Sequence, residues 1–391
     1  MGNFMRQKSS VSFDTKLSSH RINKQSSKFI SLHHIFLFLF LFTFQIFPQY
    51  ENAPYYFTHQ QLDINKIKMP LDNYGAAYPR SFLPTFHDSI GDIVWDHGLF
   101  FIGKIQNEIY ESHVLWENLY TPGPIINNRP AMHIAPFDSL RYTVYKITRD
   151  DSIHTDSILN HWPYDLGAPI SENQKPLLYG DQTLWTVYNA YDSMSIIPKT
   201  STRRSMYPVF PLEIHHTTFS YENGFNDSTR FLDETIFIEW MIVNKGGDNI
   251  DSATIGLWTD IDFCYASHNL PAVDSLNQLG YCWMEQRFGR DCYRDSLNIP
   301  AVGYILLYGP LVPDPGSIAI YKGLKKVDYK NLPLSAFWGI SDDSYPDNSD
   351  YGPAYSRESA WNISRGLDKL GNVIIDPTTQ LPTKFKYSGD P

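Results

Sequence analysis

The chain of 391 residues predicts a mainly β protein, a large antiparallel β-sandwich with long loops and little helix. Short apolar or alternating runs recur along it, each bounded by Gly, Pro, Asn or Asp. Aromatic residues make up 15% of the chain, with 26 Tyr and 24 Phe, a composition that suits pleated, half-buried surfaces. Only one segment carries both a helix start and a helix stop signal. A hydrophobic share of 42% against 19% charged residues marks a folded chain with core enough for a single large domain.

The first 50 residues read as an export signal. Arg6, Lys8, Lys16, Arg21, Lys24 and Lys28 face a single acid, Asp14, and the apolar run Ile35–Phe47 follows. That run is shorter than the roughly 20 residues needed to cross a bilayer as a helix. The alternative is an uncleaved anchor, the one route by which this chain would meet a membrane. Residues 51–70 are polar and aperiodic and read as a linker, which leaves 71–391 as a single large β domain.

Within that domain Asp96-His97-Gly98 reads as a turn ahead of the buried run Leu99–Ile102. Arg141–Thr148 alternates as a strand, and residues 150–176 are loop-like. Thr183–Tyr188 and Leu212–Tyr221 are further strands. In the second of these His215 and His216 are adjacent, so they point to opposite faces and cannot share one metal ion. Ile236–Val243 is apolar on both faces and reads as a central strand. Lys245–Asn249 supplies turn chemistry, and Ser252–Trp258 reads as the return strand of a hairpin. Val302–Tyr308 is one more strand, and residues 356–366 are the helix, with Ser356 as cap and Gly366 as stop.

Charge and motif content exclude several function classes. The formal net charge is −10, and the basic residues concentrate ahead of the apolar run, so the body is more acidic still; no basic stripe offers itself to nucleic acid. Nucleotide-binding GxGxxG and P-loop patterns, HExxH and GxSxG are all missing. No catalytic residue is identifiable, although a carboxylate pair of the glycosidase kind would leave no local signature. Three cysteines are too few for a disulfide scaffold; Cys282 and Cys292 are spaced for one bridge, which would leave Cys264 over.

One constellation suits a metal ion. Asp260 and Asp262 stand one residue apart after Trp258, with Asn269 and Asp274 following, and hard oxygen ligands of this kind fit calcium. The bland reading is a solvated acidic turn.

Several stretches together resemble a family of secreted proteins from bacteria that use type IX secretion. They are Gly180–Asn189, Leu212–Phe219, Phe237–Gly246, Pro300–Tyr304, Gly309-Pro310, Arg365–Leu367 and Phe385–Pro391. Trp258, Asp260, Asp262 and Asp274 match the family's acidic loop. Cys264 stands where the family has Gly, and Tyr265, His268 and Asn269 stand where it has Asp, so a calcium site typical of the family is weakened here. The resemblance implies secretion or an outer cell-surface location and no particular activity. It also implies a C-terminally truncated chain, without the family's sorting domain, and an unpaired sheet edge beside residues 383–387.

Two functions follow as expectations. The first is a non-catalytic secreted or surface β protein with a binding, adhesion or structural role, its partners glycan or other surface components. The second is a secreted hydrolase acting on polysaccharide through a carboxylate pair that the sequence does not single out.

Overall fold

A computed structural model describes residues 2–6, 57–77, 94–114, 119–134, 136, 138, 140–150, 161–192, 210–222, 228–261, 269–284, 301–321, 323–339 and 357–387, which belong to one compact unit. Strand accounts for 51% of them and helix for 8%, so the chain is mainly β, built from antiparallel sheets.

The strands, in chain order, begin with Gly2–Arg6 (β1), His59–Leu62 (β2), Met69–Asp72 (β3), Val94–Ile105 (β4) and Glu108–His113 (β5). Next come Thr121–Pro122 (β6), Ile125–Ile126 (β7), Arg129–Pro130 (β8), Tyr145–Thr148 (β9), Gln182–Asn189 (β10) and Leu212–Ser220 (β11). Phe237–Asn244 (β12), Asp251–Ile261 (β13), Asn269–Asp274 (β14), Leu279–Met284 (β15) and Ala301–Ile305 (β16) follow. Leu311–Tyr321 (β17), Leu324–Asn331 (β18), Ala336–Trp338 (β19), Ile374–Ile375 (β20) and Pro382–Thr383 (β21) complete the set. The one described α-helix is Arg357–Ile363 (α1), closed by Gly366 at φ +72° as the sequence predicts.

Two sheets form the sandwich. One has the order β19-β1-β13-β4-β5; the other runs β12-β11-β10-β6, with β9 also on β10. Their facing sides build the main core, with Leu99, Phe101 and Ile105 from one sheet against Tyr188, Leu212 and Ile214 from the other. The outer face of the first sheet is covered by α1, whose Ala360 and Ile363 pack with Phe100, Ile102 and Trp338. On the outer face of the second, Trp162 and Ala168 of the loop over residues 161–180 cover Trp185 and Val187. A smaller sheet, β14-β15-β16, and the hairpin β17-β18 complete the larger elements.

Four local expectations are corrected. Strands β12 and β13 are not a hairpin: β12 pairs with β11 and β13 with β4, so the connection crosses from one sheet to the other. The cause is Ile250, which drops into the inter-sheet core beneath Gly103, where a Cβ would lie 2.7 Å from its Cγ2. Nor is β12 central; it is the edge of its sheet, and its outward apolar residue Phe237 stacks on Phe219 at 4.9 Å. Residues 59–72, most of which fall in the linker expected over 51–70, form the hairpin β2-β3, because Leu62 and Leu71 are buried with Val144 and Leu184. Asp96-His97-Gly98 lies within β4 and is no turn.

The apolar run Ile35–Phe47 lies outside the described residues, and among those described no helix is long and apolar enough to cross a membrane. Cys264 and Cys292 also lie outside them. Cys282 is free and buried, and burial pushes its thiol up to about 12. At the far end, residues 384–387 are tied down along one side. Phe337 N donates to the Lys384 carbonyl, Lys386 N to the Phe337 carbonyl, and Val273 N to the Tyr387 carbonyl.

Gly75 locks the turn after β3 onto the second sheet. It holds φ +86°, and a Cβ there would sit 2.3 Å from the Tyr188 ring. Gly75→Ala is therefore expected to cost roughly 2–4 kcal/mol from overpacking and left-handed strain. Gly247→Ala, with nothing within 4 Å, is the matched control. Urea unfolding of the two variants checks this, and equal midpoints would refute the lock.

Candidate functional site

The chemistry-bearing side chains gather where the apolar core gives out, between the first residues of β4 and the middle of β11. His97 lies opposite Thr259 in the β4–β13 register. Its Nδ1 is 3.1 Å from the Tyr304 hydroxyl, to which Thr259 Oγ1 donates at 3.2 Å. Tyr304 comes from β16, so this contact ties the small sheet to the sandwich.

From the facing sheet His216 projects inward, with Nε2 3.0 Å from Thr218 Oγ1 and Nδ1 3.5 Å from the Tyr188 hydroxyl. Its ring packs between Tyr188 and Trp240. Strand β3 contributes its last residue, Asp72, whose Oδ1 accepts from Tyr74 N at 2.8 Å and Ala76 N at 2.9 Å in the turn that follows. Asp96, opposite Asp260 in register, completes the group. Asp72, Asp96, His97 and His216 are all buried, and Asp72 Oδ2, Asp96 Oδ1 and His97 Nε2 have no hydrogen-bond partner.

Burial decides the charge state of this seam. It lowers His97 to about 4, and it lowers His216 to about 3 with His97 as a second cause. Burial raises Asp72 to about 8 against the opposing backbone N–H groups of Ala76, Tyr74 and Gly75. Burial raises Asp96 well above the usual carboxylate range, and Asp72 and Asp260 push it the same way. Near neutral pH the seam therefore holds neutral imidazoles and, at Asp72, a largely protonated carboxyl.

A second pair lies on the opposite face of β11. His215 Nε2 is 3.1 Å from Glu213 Oε1, and Glu213 Oε2 accepts from Ile125 N at 2.8 Å. Lys245 Nζ stands 3.3 Å from the same carboxylate. Burial works to raise Glu213, but His215, the Ile125 N–H and Lys245 outweigh it and leave the carboxyl below its usual range. Gly167 closes over this pair; a Cβ there would meet His215 Cε1 at 2.6 Å. His215 and His216 thus serve opposite faces, as their adjacency requires.

Of the expected calcium ligands, Asn269 and Asp274 are not brought to one point. Asp262 lies outside the described residues. Asn269 and Asp274 are the two ends of β14, about 17 Å apart at strand spacing. Asp274 caps the turn that follows, accepting from Leu276 N, Asn277 N and Asn277 Nδ2. Asn269 is buried and donates to the Ile261 carbonyl at 3.4 Å. Among the described residues no group of three or more His, Cys, Asp or Glu is placed to hold a metal ion.

Asp72, Asp96, His97, His216 and Tyr304 were not legible as a group, since four separate strands contribute them. The available signal was polar residues set in apolar strand context, Asp96-His97 before the run Leu99–Ile102 and His215-His216 within β11.

The fold and this interior define the protein as a mainly β sandwich with a polar seam. No family model, curated protein or solved structure compared with the chain matches it.

The seam predicts an unusual pH dependence. Asp72 has a folded pKa above its unfolded value, so its contribution is complete in acid and is lost as pH rises from the unfolded value through about 8. The histidines act in the opposite sense, disfavouring the fold only as pH falls below their unfolded value of 6.5. Unfolding free energy is expected to fall between pH 6.5 and 8. In Asp72→Asn the decline should shrink by about 1.4 kcal/mol per pH unit. Urea titrations across that window check it, and a slope equal in both proteins would refute a protonated Asp72.

Proposed function

We propose that the protein is a secreted or cell-surface β-sandwich that acts by binding, in adhesion or surface structure, without catalysing a reaction. The observation that carries this reading is the apolar surface around β16 to β18. Ile305, Leu307, Tyr308, Ile318, Leu324 and Val327 are all more than half exposed there. Ile318 and Val327, paired across the hairpin, share one of its faces, and Tyr321 and Leu324 share the other; large apolar side chains exposed in this way mark interaction surfaces. Lys325 and Lys326 stand among them on β18, and Lys326 Nζ lies 3.8 Å over the Tyr329 ring. Aromatic and cationic groups in that setting suit a partner with both apolar faces and oxygen-bearing edges, which fits surface glycan.

The interior supports the same reading. The carboxyls and imidazoles of the seam, and the Glu213–His215 pair beneath Gly167, are buried. There they join sheets and hold loops. The export reading of residues 1–50 and the resemblance to type IX secreted proteins supply the location.

The test is retention on immobilised cell-envelope polysaccharide and on a glycan panel, followed with an assay for released reducing ends. Retention without release is expected. The double variant Ile318→Ser, Val327→Ser, on one face of the hairpin, should weaken retention at least about tenfold, because truncating each apolar side chain that the partner covers costs on the order of 1 kcal/mol. Its unfolding midpoint should stay close to wild type, since these side chains face solvent. Released reducing ends would replace this reading with the hydrolase, and undiminished retention by the variant would move the binding surface elsewhere.

A further inference from the structure

One interior position of the first sheet is filled from a remote part of the chain. β1 lies between β13 and β19, antiparallel to both, with Gly2–Arg6 against Trp258–Thr254 and Gly2–Phe4 against Trp338–Ala336. No direct ladder joins β13 to β19 among the described residues; β1 is the link between them. With β1 in place both receiving edges are buried: Thr254, Leu257 and Trp258 on one side, Ala336, Phe337 and Trp338 on the other. Buried backbone groups left without partners cost about 1–3 kcal/mol each, so this position needs a strand.

The register also sets what that strand must carry. At its middle, Phe4 has Gly256 beside it on one edge and Ala336 on the other. A neighbour with no Cβ and a neighbour with only a methyl are the smallest pair that this register sets beside β1. Positions on either side face Leu257 and Ile255, which are bulkier.

Residues 2–6 lie within residues 1–50, read above as an export signal, and removal of that signal would take β1 away. We infer that the place of β1 is a strand-acceptor site. In the exported protein it takes an extended apolar segment of a partner polypeptide, antiparallel to Thr254–Trp258, with a large apolar residue between Gly256 and Ala336. Main-chain hydrogen bonds to two edges would supply affinity, and the Gly256–Ala336 gap would supply specificity. The role of the partner rests on the export reading; the acceptor geometry does not.

The experiment starts from the full chain carrying a specific protease site between residues 11 and 57, cleaved after folding. A fluorescent peptide of residues 1–11 is then added in excess and followed by anisotropy, with hydrogen exchange read at residues 254–258 and 336–338. The labelled peptide is expected to replace the cleaved segment and to keep both edges protected. The Phe4→Asp peptide should bind at least tenfold more weakly, and Gly256→Leu in the protein should abolish binding. As a second route, the uncleaved Phe4→Pro chain should bind the wild-type peptide. Loss of the cleaved segment with no peptide uptake and unchanged exchange at both edges would overturn the acceptor site, as would binding indifferent to Phe4. The mass of the natively secreted protein tests the export reading separately: retention of residues 2–6 would overturn the partner's role and leave the site self-occupied.

Discussion

Polar groups between the two sheets are tolerated only when uncharged, and much of the architecture follows from how that is arranged. His97 and His216 enter from opposite sheets, and Asp72 and Asp96 from two strand ends. Taking an isolated charge into such a site costs several kcal/mol, whereas a neutral imidazole needs only a hydrogen-bond partner. Tyr304, itself accepting from Thr259, serves His97 in that way; Tyr188 and Thr218 serve His216. Because Tyr304 belongs to β16 and Tyr188 meets the turn at Gly75, satisfying two histidines also fastens a third sheet and a loop to the sandwich.

The same economy explains why counting acids said little about chemistry. Asp274, Asp368 and Asp376 each accept backbone N–H groups from residues two to four positions on, and so shape exposed turns. Asp314 takes Ser317 and Lys330 at the bulge of β17. In each case a carboxylate replaces backbone acceptors that a tight turn cannot provide. Among the described residues, these acids are accounted for by the turns and the bulge that they shape.

Strand existence was legible in the sequence wherever alternation or an apolar run was strong. Thr183–Tyr188 and Leu212–Tyr221 fall on β10 and β11 to within a residue or two. Partnership was not legible. The apolar outer face of β12 looked like burial between layers, yet it comes from Phe237 stacking on Phe219 at a sheet edge. Lys245–Asn249 has the composition of a reversal, and only the burial of Ile250 shows that the chain changes sheets there. Strand β2 escaped notice because one deeply buried residue, Leu62, anchors an otherwise polar stretch. The seam was hidden for a related reason: its members are far apart in sequence, and burial, which sets their protonation, is a property of the assembled sheets.

Sheet edges show how the fold divides its surface between protection and exposure. Strand β18 carries Lys325, Lys326 and Lys330 along an exposed edge, the pattern that discourages strand addition. Strand β12 places exposed Glu239 and half-exposed residues on its free side. Neither precaution appears at the flanks of β1, where β13 and β19 present buried, uncharged residues to either side. An edge guarded by charge is built to stay single, whereas an edge lined by Thr254, Gly256, Leu257 and Ala336 is built to be paired. That contrast, drawn within one molecule, locates strand pairing in the interior of the first sheet and leaves the apolar side chains of the β17-β18 hairpin to a different kind of contact.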